Sequence, residues 1–268
     1  MTTSLSSRTR RTRRTFRIDA APSARSAPGP IPFARLVRVE WAKATDTRAA
    51  RWLLALVAQS TAGIMVVPVV SPTTFAQTYA SYLRVASLGL NVVLPVVAIL
   101  LFTGEWSQRS VMTTFNQEPR RMRVVNAKLV VAMVLGGGGA VFGAVVAASG
   151  LGLVSASGRA LEANLSVGAI ASYLLYVLLN VFAAVALGVL LQSSAAAIAT
   201  SFALPAGVAL LGATGSSLLD WIDMATAWKW MLDNDWGGHV PQILFSIVFW
   251  VVVPLAAGIV RTLRRDVG

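Results

Sequence analysis

Cysteine is absent from the 268 residues. That leaves no disulfide framework, no thiol nucleophile and no cysteine-based metal site. There is one histidine, His239, which cannot build a metal cluster by itself; its Trp-Gly-Gly-His-Val setting fits a solvated or interfacial residue better than a ligand. Charge is scarce as well, at 13% Asp, Glu, Lys and Arg against roughly 25% in soluble proteins. The scarcity is uneven. Thirty-two uncharged residues separate Arg51 from Arg84, 20 separate Arg84 from Glu105, 30 separate Lys128 from Arg159, 57 separate Glu162 from Asp220, and 25 separate Asp235 from Arg261. A bilayer core about 30 Å thick is crossed by roughly 20 apolar residues as a helix. The gap of 57 holds two crossings, so five gaps predict six spans and an all-α, polytopic membrane protein.

What charge there is sits in alternate segments. The formal net charge is +12, and 20 of the 23 basic residues fall in residues 1–51, 104–128 and 261–268. The other three, Arg84, Arg159 and Lys229, lie in the intervening connections. Positive residues flank cytoplasmic span ends, so this distribution predicts cytoplasmic termini and argues against nucleic-acid binding as the origin of the basicity. The 20 arginines against three lysines fit a GC-rich bacterial genome.

Residues 1–32 form an Arg-rich segment among Thr, Ser, Ala and Pro, expected to be a disordered cytoplasmic tail attracted to anionic lipid. Arg13-Arg14-Thr15-Phe16 resembles a twin-arginine signal, but no apolar region follows for about 35 residues, so a cleaved signal is not expected. Residues 33–51 read as an amphipathic interfacial helix, with Phe33, Leu36, Val37 and Trp41 on the apolar side and Arg35, Arg38 and Lys43 pointing away from it. Residues 52–262 form the six-span domain, with spans near 52–70, 85–103, 129–153, 168–190, 196–214 and 242–260, and 263–268 is a second cytoplasmic tail. Gln192-Ser193-Ser194 marks a very short turn between the fourth and fifth spans. Residues 215–241 hold four of the eight tryptophans and are expected to lie on or dip into the outer leaflet.

Catalytic and energising groups are missing from this pattern. The three lysines, Lys43, Lys128 and Lys229, follow Ala42, Ala127 and Trp228, so none belongs to a phosphate-binding Gly-Lys loop. The run from Gly136 to Gly139, with Gly143, gives a Gly-x-x-x-Gly pattern at Gly139 and Gly143 that reads as a helix-packing face. The six spans hold no Asp, Glu, His or Arg to relay protons. Gln59, Asn91 and Asn180 are the notable intramembrane polar residues. They are candidates for a substrate pathway, although such residues more often serve as interhelical hydrogen-bonding groups. An enzyme is not expected, no cofactor is implied in the chain, and no metal ligands are identified.

The most specific segment is GEWSQRSVMTTFNQEPRRMRVVNAKLV, residues 104–130. It resembles the loop between the second and third spans of type-2 ATP-binding-cassette exporter permeases, where a Glu after the second span precedes a short helix with Thr or Ser, then Pro-Arg-Arg and a Lys opening the next span. The corresponding residues are Glu105, Ser110, Thr113 or Thr114, Pro119, Arg120, Arg121 and Lys128. The lead-in RLVRVEWAKATDTRAARWLL is similar to the family's interfacial helix, and the Trp-rich segment resembles its re-entrant outer helices. The resemblance covers residues 33 to about 262. It departs at Gln108-Arg109-Ser110, where many members carry Arg/Lys-Gly-Thr, so a more helical local turn is expected.

The resemblance implies a cytoplasmic coupling helix seated on an ATPase, with Trp106, Arg109, Val111, Met112 and Phe115 among its contacts and the arginines anchoring the return to the membrane. It also implies two separate ATPase subunits carrying ATP and Mg, a second permease subunit, identical or homologous, and a place in the bacterial plasma membrane. Glu105 is expected at the start of the coupling helix, where a carboxylate suits the N-terminal dipole. The alternative is a non-transporting scaffold or sensor that recruits a soluble partner through residues 104–128.

Overall fold

A computed structural model describes residues 31–71, 75–107, 120–161, 166–212 and 219–264. Helices account for nearly all of them, and no strand occurs among the described residues. α1 (Phe33–Thr45), α2 (Arg48–Val70), α3 (Tyr79–Ser107), α4 (Arg121–Ala156), α5 (Val167–Leu191) and α6 (Ser194–Gly212) are followed by a 3₁₀ turn (Leu219–Trp221) and α7 (Met224–Leu232). α8 (Val240–Ile247) then runs through a π-turn (Val248–Val252) into α9 (Val253–Arg264). α2 to α6 and the continuous stretch Val240–Arg264 are six segments long and apolar enough to cross a membrane. This is a multi-pass membrane protein.

The helices start and stop where the side chains dictate. α1 ends as the Asp46 N–H closes on Ala42 O, and Thr47 then caps α2 by accepting the Ala50 N–H at 3.1 Å. The result is an elbow between a short helix and the first span, pinned further by Arg51 Nη2 donating to Asp46 O at 2.8 Å. Ser166 and Asp223 cap α5 and α7 in the same manner. Gln192 takes the left-handed conformation (φ 54°) that lets α5 turn directly into α6.

α3 is the axis of the bundle, with 72% of its most apolar stretch buried, whereas α6 has 6%. Packing is close where small residues allow it. A Cβ on Gly89 would lie 2.5 Å from Thr61 Cα, so α2 and α3 cross nearly backbone to backbone, and Ser60 Oγ donates to Gly89 O at 3.0 Å. The packing pair from the sequence also lies on occupied ground: a Cβ on Gly139 would meet Leu94 Cδ2 at 2.8 Å, and one on Gly143 would meet the Tyr173 hydroxyl at 2.2 Å. Gly137 and Gly138 have nothing nearby. Pro254 cannot donate to the helix, and the π-turn that precedes it, closed by Val253 N–H to Val248 O, absorbs the break.

Several helix ends fall outside the expected segments: the interfacial helix stops at Thr45, not residue 51, and residues 48–51 belong to α2. α3 begins at Tyr79, so Arg84 lies inside the helix, where it pairs with Asp233 at 2.8 Å. α4 begins at Arg121, well before residue 129, and it packs on α1, with Lys128 against Glu40.

Candidate functional site

Four charged side chains from three helices meet where α1, the end of α3 and the start of α4 converge. Glu40 is 3% exposed although it stands on the short helix α1. Its two oxygens are divided between two ammonium groups, Lys43 Nζ to Oε1 at 2.7 Å and Lys128 Nζ to Oε2 at 2.9 Å. Glu105 repeats the arrangement from α3, with Lys43 Nζ at 2.5 Å from Oε1 and Lys128 Nζ at 3.4 Å from Oε2. Lys128 Nζ donates a hydrogen bond to Leu101 O at 2.9 Å, while its contacts with the two carboxylates are ion pairs. Each lysine bridges both carboxylates, so the quartet is neutral and cyclic. Such a group is tolerated away from water only because every charge has close partners.

The helix geometry explains who can join. On α1, Leu36, Val37, Glu40 and Ala44 recur at helical spacing and form the inner face, while Phe33 and Trp41 are 41% and 39% exposed. The expected orientation is therefore revised: Glu40 faces the bundle, and Lys43, at i+3, is drawn toward Glu40 and Glu105. Burial works against the Lys43 ammonium, but its hydrogen bonds to Glu105 and Glu40 outweigh that and raise its pKa above the ordinary 10.5.

Glu105 lies on α3, two residues before Ser107, the last described residue of that helix segment, and is held there by Lys43 and Lys128. Arg120 is exposed at the start of α4, Arg121 donates to Thr262 O at 3.2 Å, and Arg123 donates to Ile31 O. Arg121 and Arg123 thus tie the start of α4 to Thr262 of α9 and to Ile31, just before α1. Arg109, Ser110, Val111, Met112, Thr113, Thr114, Phe115 and Pro119 lie outside the described residues, as does the side chain of Trp106.

A cavity of about 320 Å³ opens beneath the elbow, between Lys43, Thr47, Glu105 and Lys128 on one side and Ala50, Leu53, Val97, Leu100 and Leu101 on the other. A second, of about 200 Å³, lies between α3, α5, α6 and α7 and is lined by Asn91, Pro95, Asn180, Ser201, Pro205 and Trp250, among others. Asn91 and Asn180 meet there on one tyrosine: Asn91 Nδ2 donates to Tyr176 Oη and Asn180 Nδ2 to Tyr176 O, each at 2.8 Å. Pro95 and Pro205 leave without a helical donor the carbonyls four residues earlier, those of Asn91 and Ser201. All four of these residues border the same space. Gln59 is exposed on α2 and does not line it.

The Trp-rich segment is tied to the bundle. Trp228 is 1% exposed, packed with Leu179, Met231, Ile243 and Trp250, so it is shielded by protein and not by lipid. Trp236 Nε1 donates to Ser172 Oγ at 3.2 Å, and Trp230 stacks on His239 with ring centres 3.9 Å apart. Among the described residues no group of His, Asp or Glu could hold a metal ion. No protein-family model matches the chain, and neither a curated protein nor a solved structure resembles it closely enough to match.

Proposed function

We propose that this chain is the membrane-spanning permease subunit of an ATP-binding-cassette exporter, working with two separate ATPase subunits and a second permease subunit. ATP and Mg would be held on the ATPases, and none in this chain. The observation that carries the reading is the Glu40–Lys43–Glu105–Lys128 quartet. Residues 104–130 carry the resemblance to a coupling loop; they begin on α3 with Gly104 and Glu105 and end on α4 with Lys128. Both of those helices are ion-paired to α1. A pull on the intervening segment would therefore move α1, α3 and α4 together, which is what transmission from a soluble motor requires. The shallow packing of α6 leaves a membrane-facing surface on which a second subunit can sit. Spans of such apolar composition favour a hydrophobic or amphiphilic cargo over a multiply charged one.

The reading places the chain in the bacterial plasma membrane with both termini cytoplasmic. Cysteines introduced at Ser157 and Ser217 are expected to react with an impermeant maleimide in intact cells, and one at Ser107 is expected to stay unlabelled. Labelling of Ser107 alone reverses the orientation.

The decisive experiment is co-purification. The chain alone is expected to hydrolyse no ATP, and with its ATPase to support vanadate-sensitive turnover and export. Phe115→Asp, which sets a charge in an apolar contact, is expected to weaken ATPase association about 5- to 150-fold, the equivalent of roughly 1–3 kcal/mol. Recovery of a soluble partner without nucleotide hydrolysis would favour a scaffold or sensor.

A further inference from the structure

The cavity beneath the α1–α2 elbow has a polar rim, an apolar wall and an unused donor. Lys43 carries three N–H groups. Two go to Glu40 and Glu105, and the side chain is 41% exposed on the cavity rim. The opposite wall is aliphatic, formed by Leu53 of α2 and Val97, Leu100 and Leu101 of α3. Trp41 and Trp52 flank the elbow at 39% and 77% exposure, and exposed tryptophans on either side of a helix bend mark the depth of the membrane–water boundary. The volume of about 320 Å³ falls at the small end of ligand sites.

We propose that this cavity binds the phosphodiester of a membrane glycerophospholipid, with Lys43 as its donor and the acyl chains lying against Leu53, Leu100 and Leu101. A free phosphate would leave the aliphatic wall exposed to water, and an uncharged lipid would bring no negative group to replace water on the third Lys43 N–H. The quartet is not broken by binding, because its two carboxylates keep the other Lys43 donors and both Lys128 pairs. A lipid held here wedges the angle between α1 and the first span. This assignment stands apart from the export reading, since it needs only the elbow to lie at the membrane surface.

Native mass spectrometry of the delipidated full chain tests it, with dioleoylphosphatidylglycerol and dioleoylglycerol as the probes. One phosphatidylglycerol is expected per chain, bound about fivefold more tightly than dioleoylglycerol, the effect of one lysine on an anionic headgroup. Lys43→Gln should abolish that preference. Ala50→Phe fills the cavity while leaving the quartet untouched, and should weaken both lipids. Equal binding of the two lipids overturns the proposal, as does phosphatidylglycerol binding unchanged in either variant. Displacement by inorganic phosphate alone would also overturn it, by showing an anion site without a lipid component. Melting curves for both variants separate a lost site from a lost fold, and Ala50→Phe decides the matter if Lys43→Gln does not fold.

Discussion

Lys128→Met is expected to destabilise the protein by about 3–5 kcal/mol, the cost of breaking a buried ion pair from one side. Lys128 is 5% exposed and holds Glu40 at 2.9 Å, Glu105 at 3.4 Å and the Leu101 carbonyl at 2.9 Å. Methionine fills a similar volume, so the loss is electrostatic and not a cavity. Two carboxylates would then share only Lys43, which is 41% exposed and correspondingly better screened. The orphaned charge, more than the missing attraction, sets the magnitude. The double variant Lys128→Met with Glu40→Gln should therefore recover part of the loss, because it removes the carboxylate left behind. Denaturation followed by helical circular dichroism in one detergent measures all three proteins. A Lys128→Met protein within 0.5 kcal/mol of the parent would mean that the quartet does not bear on stability.

The quartet has a defined pH signature through Lys43. Its pKa is raised in the folded protein, so its contribution is complete below the ordinary value of 10.5 and is lost as pH rises through the higher folded value. Stability near neutral pH is therefore insensitive to this lysine's titration.

The six spans were legible because lipid imposes a one-dimensional constraint: a helix crossing it must be apolar for roughly 20 residues, and long charge-free runs report that directly. The split of the 57-residue run at Gln192-Ser193-Ser194 was also legible, since polar residues at a left-handed turn stand out between aliphatic helices. Pairing between helices was not legible. Lys43 read as a charge pointing away from the apolar side of an amphipathic helix, and only Glu105, 62 residues beyond it, and Lys128 from α4 reveal the cluster that it forms with Glu40. The i,i+3 spacing of Glu40 and Lys43 was the available clue, but that spacing is common on exposed helices. Glu105 was singled out as the carboxylate that follows the second span in segment 104–130, but its pairing with Lys43 and Lys128 depends on how three helices meet. Of the three intramembrane amides, Asn91 and Asn180 meet at one tyrosine whereas Gln59 faces outward, and no linear pattern separates them.

Gly89→Leu is expected to cost the most of any substitution between α2 and α3. Glycine inside a helix is disfavoured by about 1 kcal/mol relative to alanine, so Gly89→Ala on propensity alone would stabilise α3. The packing reverses that sign. The added Cβ would stand 2.5 Å from Thr61 Cα, 2.8 Å from Thr61 N and 2.9 Å from Ser60 C, all backbone atoms of α2 that cannot rotate away. The two helices must part, which also lengthens the Ser60 Oγ to Gly89 O bond from 3.0 Å and opens the close-packed seam on α3. Overpacking of this kind costs roughly 1–3 kcal/mol for a small intrusion, and leucine should exceed alanine. Gly63 supplies the control, for it sits on α2 with nothing within 4 Å of a built Cβ. Gly63→Ala should be neutral or slightly stabilising by the same propensity. The order of melting temperatures should be Gly63→Ala at or above the parent, Gly89→Ala below it and Gly89→Leu lowest. If Gly89→Ala melts with Gly63→Ala, α2 and α3 do not cross at Gly89. The small residues of α2 would then face lipid, and the bundle would close around α3 in some other way.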